Sequence, residues 1–543
     1  MAVLLMWDNK LALKCTYEER NLAKQVPGWK WNGQMKVWEY QVEKETVDQL
    51  VSIFPNLKVA PDVKDYITRI ERNRVQMLEL KELEDVELNV PFANKLRDYQ
   101  RVGVNFLSTT GKCILADDMG TGKTLQAITA CEDTGAEKVL VVCPNSLKWN
   151  WHEEVGKWTD SKAVVVDGTR AKRVKTIEGF TGKYLIINYE SMRLHEELQK
   201  VKWDVLILDE AHKIKNRKAQ QTKAVKKVKA DHVFLLTGTP MLNRPDELWS
   251  LLNRLYPDKF RSYWRFAERY CSITDNGWGK EIGIGTPEQQ ASLRQLLAPV
   301  MLRRTKKDVL KELPDKVYQR HLIELKGNQA RAYRSMEKDA IATLTEGEVI
   351  AAPVVIAQIT RLRQIAVSTQ LLSDGVAESA KFDALLELIQ DNQEEHKIVV
   401  FSQFRRAVEL FSEKLDKAGI KWTAVTGAVK QEDKHQATKD FQEDTETRVM
   451  LAAIEAAAHG LTWTSADIAV FLDRHWTPAI NTQAEDRLHR MGQKNSVTII
   501  NMVARGTVEE YIENMLEKKG ESFDAIVNGQ VTAEELRQIF NKL

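Results

Sequence analysis

The sequence predicts an α/β protein: two parallel-sheet lobes with helical insertions, preceded by a small module that contains a β-hairpin. Three observations point there. From about residue 91, short apolar strands alternate with helical segments, the rhythm of a parallel sheet covered by helices. A second such set begins near residue 397. And 543 residues are too many for one core, so two or more domains are expected.

Taken in order, residues 1–60 stand apart, with Trp7, Trp29, Trp31 and Trp38 in a short span. "PGWKWNGQMKVWEY" reads as two strands with Asn32-Gly33 near the turn, a favoured hairpin pair. "IFPNLKVAPD" reads as a loop. A helix follows from Pro61 and Asp62, with Val63, Tyr66, Ile67 and Ile70 along one stripe, so 61–90 is a helical linker. The first lobe, 91–315, carries "KCILAD", "KVLVVC", "AVVVDG", "YLIINY", "DVLILDEAH" and "HVFLLTG". The second, 316–520, carries "KIVVFSQ", "TAVTG", "RVMLAA", "IAVFLD" and "SVTIINMV". Residues 521–543 read as a helical tail.

Composition narrows the class. Apolar residues are 43% and charged residues 29%, as in globular proteins. No run of about 18 apolar residues exists, so no membrane span is expected. "MAVLLMWDNK" lacks a basic lead and is not read as a secretory signal. The five cysteines are scattered without a CxxC pair, which speaks for a reducing compartment and against structural zinc. The cytoplasm, or the nucleus in a eukaryote, is the expected location. A net charge of +2 means that any nucleic-acid surface must be a local patch.

"ILADDMGTGKTLQA" is a strand, a glycine-bearing loop and a helix. Gly120, Thr121 and Gly122 let backbone N–H groups close around phosphate. Lys123 would reach the β and γ phosphates of ATP, and the Thr124 hydroxyl would bind Mg²⁺. A strict phosphate loop opens on glycine, and this chain has Asp117 there. In "VLILDEAHKIKN", four apolar residues run into Asp209-Glu210 at a strand's C-terminal end, where parallel sheets place their ligands. Asp209 fits the Mg²⁺-holding carboxylate, and Glu210 can polarise the attacking water. Two readings of His212 stand: a link from this site to the neighbouring strand, or an ordinary residue starting a helix. Thr237 and Thr239 in "LLTGTPMLNRPDELWSLL" follow another buried strand. Their hydroxyls can couple the acidic motif to a nucleic-acid backbone, or simply close a turn.

"LRDYQRVGVNFL", "DDMGTGKT", "LDEAHKIKN", "LTGTPMLNRPDELWSLL", "MLRRTKKDVLKELPDK" and "QAEDRLHRMGQ" together resemble the successive motifs of SWI/SNF-type ATPases of helicase superfamily 2. The resemblance spans roughly residues 91–515 in family order. It implies two RecA-like lobes and a motor that hydrolyses ATP while tracking along double-stranded DNA, usually without unwinding it. It also implies that Gln100 reads the adenine edge, which a carboxamide can do as both donor and acceptor.

"NTQAEDRLHRMGQK" reads as helix and places Arg487 and Arg490 three positions apart, on one face. Like charges so placed usually cost stability, which asks for an anion. By the resemblance, this helix would face the phosphate loop across a cleft. The two arginines would then meet the departing γ phosphate and Gln483 would sense nucleotide one turn earlier, so that hydrolysis depends on lobe closure. The bland alternative is a surface helix neutralised by Glu485 and Asp486. DNA contacts by the same resemblance fall on Ser146, Lys148, Asn188, Tyr189, Ser402 and Gln403. Gly460 and Thr462 match in "AAIEAAAHGLTWTSAD", which departs from the family's glycine-rich pattern, as does "DRHWTP" modestly. "HKIKNRKAQQTKAVKKVK" lines the DNA track or is a solvated face.

The tryptophan hairpin resembles the HARP module of annealing helicases. With a two-residue turn, Trp29, Trp31 and Trp38 share a face beside Lys36, suited to stacking on unpaired bases at a fork; equally, they form the core of a small module. Three functions compete. The chain remodels forked DNA or anneals strands; or the same motor displaces a DNA-bound replication, repair or transcription protein; or it is a nucleotide-gated scaffold without turnover. The DEAH letters alone also suit an RNA helicase, which the motif order disfavours.

Overall fold

The computed structural model describes residues 2–517 except 9, 27, 41, 43, 84–85, 239–244, 276–279, 346–351, 373–377, 428–430 and 458–460. The chain forms two compact units. Met1–Ala116, Thr124–Cys143 and Val155–Arg303 make the first; Asp117–Lys123, Pro144–Glu154 and Arg304–Leu543 make the second.

The first unit opens with a five-stranded sheet: β1 (Val3–Trp7), β2 (Lys10–Lys14), β3 (Lys30–Asn32), β4 (Val37–Tyr40) and β5 (Lys58–Val59), in the order β3-β4-β2-β1-β5. Two expectations are corrected here. The "IFPNLKVAPD" segment is not all loop, because β5 pairs in parallel with β1, Val3 opposite Lys58; the open edge of β1 supplies its backbone partners. Asn32-Gly33 does lie at the start of the hairpin loop, but the loop is not a two-residue turn. Asn32 ends β3 opposite Val37, and a four-residue loop, 33–36, joins the strands. The Asn32 carboxamide oxygen accepts from the Gln34 and Met35 amides at 3.1 Å, and Lys36 takes the left-handed position at φ +53°. Asparagine thus organises the turn from outside it. The helix Pro61–Glu82 follows, with proline in its first turn and Val63 buried in the module's core.

The main sheet of this unit holds β6 (Lys112–Leu115), β7 (Val139–Cys143), β8 (Ala163–Val165), β9 (Tyr184–Asn188), β10 (Lys202–Asp209) and β11 (Lys229–Leu236). A short hairpin of β12 (Cys271–Asp275) and β13 (Lys280–Ile284) and an edge strand β14 (Met301–Leu302) complete the unit. The order is β14-β6-β11-β10-β7-β9-β8, parallel throughout. β7 and β9 are buried along their whole length, as strands covered on both faces must be, which is why they read as unbroken apolar runs. Register aligns the C-terminal ends: Leu115 faces Leu236, and Leu236 faces Asp209. Acidic motif, Thr237 and the departure point of the phosphate loop therefore share one edge, where open α/β sheets bind ligands.

The second unit holds β15 (Lys316–Ile323), β16 (Ile398–Ser402), β17 (Trp422–Val425), β18 (Val449–Ala453), β19 (Ile468–Phe471) and β20 (Val497–Ala504), all parallel, in the order β15-β20-β19-β16-β18-β17. Alternate residues feed two cores: Ile398, Val400, Leu451 and Val470 on one face, Val399, Phe401, Met450 and Phe471 on the other. Among the described residues no helix is long and apolar enough to cross a membrane.

Candidate nucleotide site and nucleic-acid contacts

On the first unit's sheet edge, Asp209 ends β10 and its Oδ1 accepts from the Glu210 amide at 2.9 Å. Glu210 sits at φ +50°, a strained position for a residue with a side chain, so the surrounding fold must hold it there. Its Oε2 lies 3.3 Å from His212 Nδ1, and the same nitrogen is 3.5 Å from the Thr237 hydroxyl. His212 therefore touches both the acidic motif and the end of β11, which favours the linking reading over that of an isolated helix-start histidine. Thr239 lies outside the described residues. Tyr189 corrects an expectation. Its ring is fully buried and its hydroxyl donates to the Asp209 carbonyl at 2.8 Å, so it braces the acidic motif and cannot meet DNA. Burial drives its phenol well above the ordinary range. Asn188 is also turned inward, its Oδ1 capping the turn at Ser191 and its amide meeting Glu190 at 3.1 Å. Gln100 is buried at the third position of the helix Asp98–Thr110, where its Oε1 accepts from the Arg97 amide at 3.1 Å.

The loop Asp117–Lys123 belongs to the second unit. Asp117 is fully buried, and its Oδ1 accepts from the Arg304 amide at 3.0 Å and from Arg304 Nε at 3.1 Å. That pairing is the reason for a carboxylate where glycine was expected. Gly120 and Gly122 have φ of +78° and +80°, conformations that side chains resist. The Thr121 hydroxyl donates to the Asp118 carbonyl at 2.9 Å, and Lys123 Nζ lies across the loop, 2.7 Å from the Asp117 carbonyl and 2.9 Å from that of Asp118.

Against this loop sits the arginine segment, and here the helix expectation is corrected. The helix Pro478–Glu485 stops before either arginine; beyond it the backbone turns, with Leu488 N bonding the Glu485 carbonyl. Arg487 and Arg490 still converge, since both donate to the Leu461 carbonyl, at 3.2 and 3.4 Å. Arg487 Nε bonds the Gln483 carbonyl at 3.1 Å and its Nη2 lies 4.0 Å from Met119 Sδ. Arg490 donates to the Thr462 hydroxyl at 2.8 Å. A Cβ built on Gly120 would stand 2.8 Å from that of Arg490, so only glycine lets the loop approach so closely. Glu485 and Asp486 are both held by Lys316, at 2.9 and 3.0 Å.

The remaining expected DNA contacts do not gather on an open surface. Ser402 is fully buried, its hydroxyl donating to Asp473 at 2.5 Å; Gln403 donates its amide to Asp473 at 3.0 Å and accepts from Arg363 at 3.1 Å. Both close the end of β16. Lys148 is buried at the start of the helix Lys148–Trp158, and Ser146 is partly buried in the turn before it. A buried side chain cannot lie on a phosphate track, which corrects Lys148 and Ser402 as contacts in this conformation. Gly460 lies outside the described residues. Arg304, Lys306 and Arg363 escaped the sequence reading; their signal is cation-rich sequence beside apolar runs, which looks like surface.

The residues present suit ATP with Mg²⁺. Two left-handed glycines shape an anion cradle, with Lys123 at its rim. Among the described residues no group of three or more His, Cys, Asp or Glu could hold a metal alone. Mg²⁺ takes one or two protein oxygens and completes its shell with phosphate and water, and the Asp209 carboxylate at the end of β10 offers such an oxygen. Residues 99–371 match the SNF2-related domain and residues 380–492 the helicase conserved C-terminal domain. The chain belongs to the SNF2-related family. Family membership makes it a helicase-like ATPase by class. Its similarity extends to the DNA annealing helicase and endonuclease ZRANB3 of Homo sapiens, at 31% identity over 81% of this chain and 41% of that one. A SWI/SNF-related matrix-associated actin-dependent regulator of chromatin subfamily A-like protein 1 from Xenopus laevis is 29% identical over 90% of this chain and 50% of its own. The putative ATP-dependent helicase/translocase YwqA of Bacillus subtilis is 30% identical over 84% and 52%. The chain thus spans between two fifths and about half of these relatives. Among solved structures, a Sulfolobus solfataricus SWI2/SNF2 ATPase core in complex with dsDNA is 28% identical, covering 84% of this chain and 98% of its own, with a TM-score of 0.39.

Proposed function

We propose that this SNF2-related chain is a DNA-dependent ATPase that moves along double-stranded DNA and acts on forked DNA or anneals strands. The observation that carries the reading is the approach of Arg490 to Gly120, which sets two arginines beside a phosphate-binding loop. In the proposed reaction, the Gly120–Gly122 amides and Lys123 hold the β and γ phosphates. Glu210, steered by His212 and Thr237, orients the attacking water. Arg487 and Arg490 meet the charge that grows on the transferred phosphoryl group, a role that contributes roughly 10³–10⁵ in rate. Mg²⁺, bound through Thr124 and Asp209, would supply charge neutralisation. The annealing task is supported by the names of the ZRANB3 relatives and by the exposed tryptophans of the N-terminal sheet, Trp29 and Trp31, which flank Trp38 at centroid distances of 5.1 and 4.9 Å.

The test is ATP turnover on duplex, single-stranded and forked DNA and on RNA, side by side, with strand annealing followed in the same samples. Duplex or forked DNA should stimulate turnover far more than RNA, and the stimulation should fade with salt. Equal stimulation by RNA would overturn the reading. Stimulation by DNA without annealing or fork remodelling would leave a motor whose task is to displace a DNA-bound protein.

A further inference from the structure

Lys306 is a buried lysine outside every motif role assigned so far. It opens the short helix Lys306–Val309, whose start is fixed by a capping box between Thr305 and Asp308. Its backbone amide donates to Asp118 Oδ2 at 3.0 Å, and its Cε would lie 3.6 Å from a Cβ on Gly120. At its other end, Nζ lies 2.8 Å from Asp486 Oδ1 and donates to the His489 carbonyl at 2.5 Å. The residue therefore bonds the phosphate loop through its backbone amide and, through its side chain, the turn that carries Arg487 and Arg490. Two residues earlier, Arg304 grips Asp117 at the loop's first position. All of these residues belong to the second unit.

Neutralising Asp486 does not by itself require Lys306, because Lys316 already reaches the same oxygen at 3.0 Å. Burying a second ammonium beside it is costly. What Lys306 adds is the side-chain bond to the His489 carbonyl, one residue before Arg490, from a residue whose backbone amide is itself tied to Asp118. We propose that Lys306 is a positioning residue: it clasps the phosphate loop to the arginine turn and so fixes Arg487 and Arg490 for hydrolysis, without touching nucleotide itself. The inference rests on the ATPase reading above for its kinetic consequence, and on geometry alone for the clasp.

The experiment compares full-length wild type, Lys306→Met and Lys306→Arg. Methionine keeps the apolar stem and leaves Asp486 paired with Lys316, so the fold should survive; circular dichroism checks this. With saturating duplex DNA, Lys306→Met should lower kcat by roughly 100-fold, the scale of a 1 Å misplacement. Affinity for a non-hydrolysable ATP analogue should stay within about threefold, because no nucleotide contact is removed. Lys306→Arg should recover most of the rate. Amide hydrogen exchange should quicken in Lys306→Met at residues 117–122 and 486–490 together, and stay unchanged at 205–209. Normal kcat in Lys306→Met, an arginine variant no better than methionine, or unchanged exchange at either segment would overturn the clasp. A wild type that fails to hydrolyse ATP on DNA would instead remove the functional reading, and exchange would still decide whether Lys306 ties loop to turn.

Discussion

Asp117 shows how a single residue can look wrong in sequence and be right in the fold. A phosphate loop opening on aspartate breaks the strict pattern, yet the buried carboxylate has Arg304 as its partner, 187 positions away. No periodicity could find that pair, because each half reads as an ordinary charge. The placement of Lys123 and Glu210 was legible, since it depends on local sequence: a glycine-bearing loop after a strand, acids at a strand's end. Lys123→Ala should therefore abolish ATP hydrolysis with circular dichroism unchanged. Glu210→Gln should bind the nucleotide and turn it over very slowly in a single-turnover assay. A pH profile tests the clasp from another side. Burial pushes the Lys306 ammonium down to about 8, against the pull of Asp486 and helped by Lys316 and Arg490. The protonated form is the one that pairs with Asp486, so the pairing is present below that pH and lost as pH rises through it. Wild-type kcat should fall on the alkaline side with an apparent pKa near 8, and Lys306→Arg should hold its rate there.

At the scale of elements, strands buried on both faces were readable, and one long exposed edge strand was not. β7 and β9 announce themselves as apolar runs. β15, "KVYQRHLI", is an exposed edge strand whose polar residues hid it within a basic stretch. The arginine segment read as helix because its composition suits one; tertiary bonds to the Leu461 carbonyl end the helix at Glu485 instead. In the N-terminal sheet the tryptophans separate by exposure. Trp38 is core, 7% exposed, whereas Trp29 and Trp31 are 38% and 46% exposed. Trp38→Ala should cost about 3–5 kcal/mol and lower the melting temperature of the module. Trp29→Ala with Trp31→Ala should leave melting nearly unchanged and weaken binding to forked DNA about 10-fold or more, measured by fluorescence anisotropy, given stacking of about 1–3 kcal/mol per base. Unchanged fork binding would make these rings packing partners of Trp38 and nothing more.

For the whole molecule, two parallel sheets were legible because each repeats one rule: apolar strand, polar helix, functional residue at the strand's C-terminal end. Burial was not legible. Tyr189, Lys148 and Ser402 carry groups that could meet DNA, and only three-dimensional packing turns them inward. What the fold brings together in the second unit is a phosphate loop and two arginines, and the proposed activity stands on that meeting. Steady-state phosphate release by wild type and Arg490→Ala, with saturating duplex DNA and with analogue affinity measured in parallel, tests it most directly. Arg490→Ala should bind nucleotide about as well as wild type and release phosphate about 10³-fold more slowly. Release at the wild-type rate would contradict the assignment of this turn to catalysis.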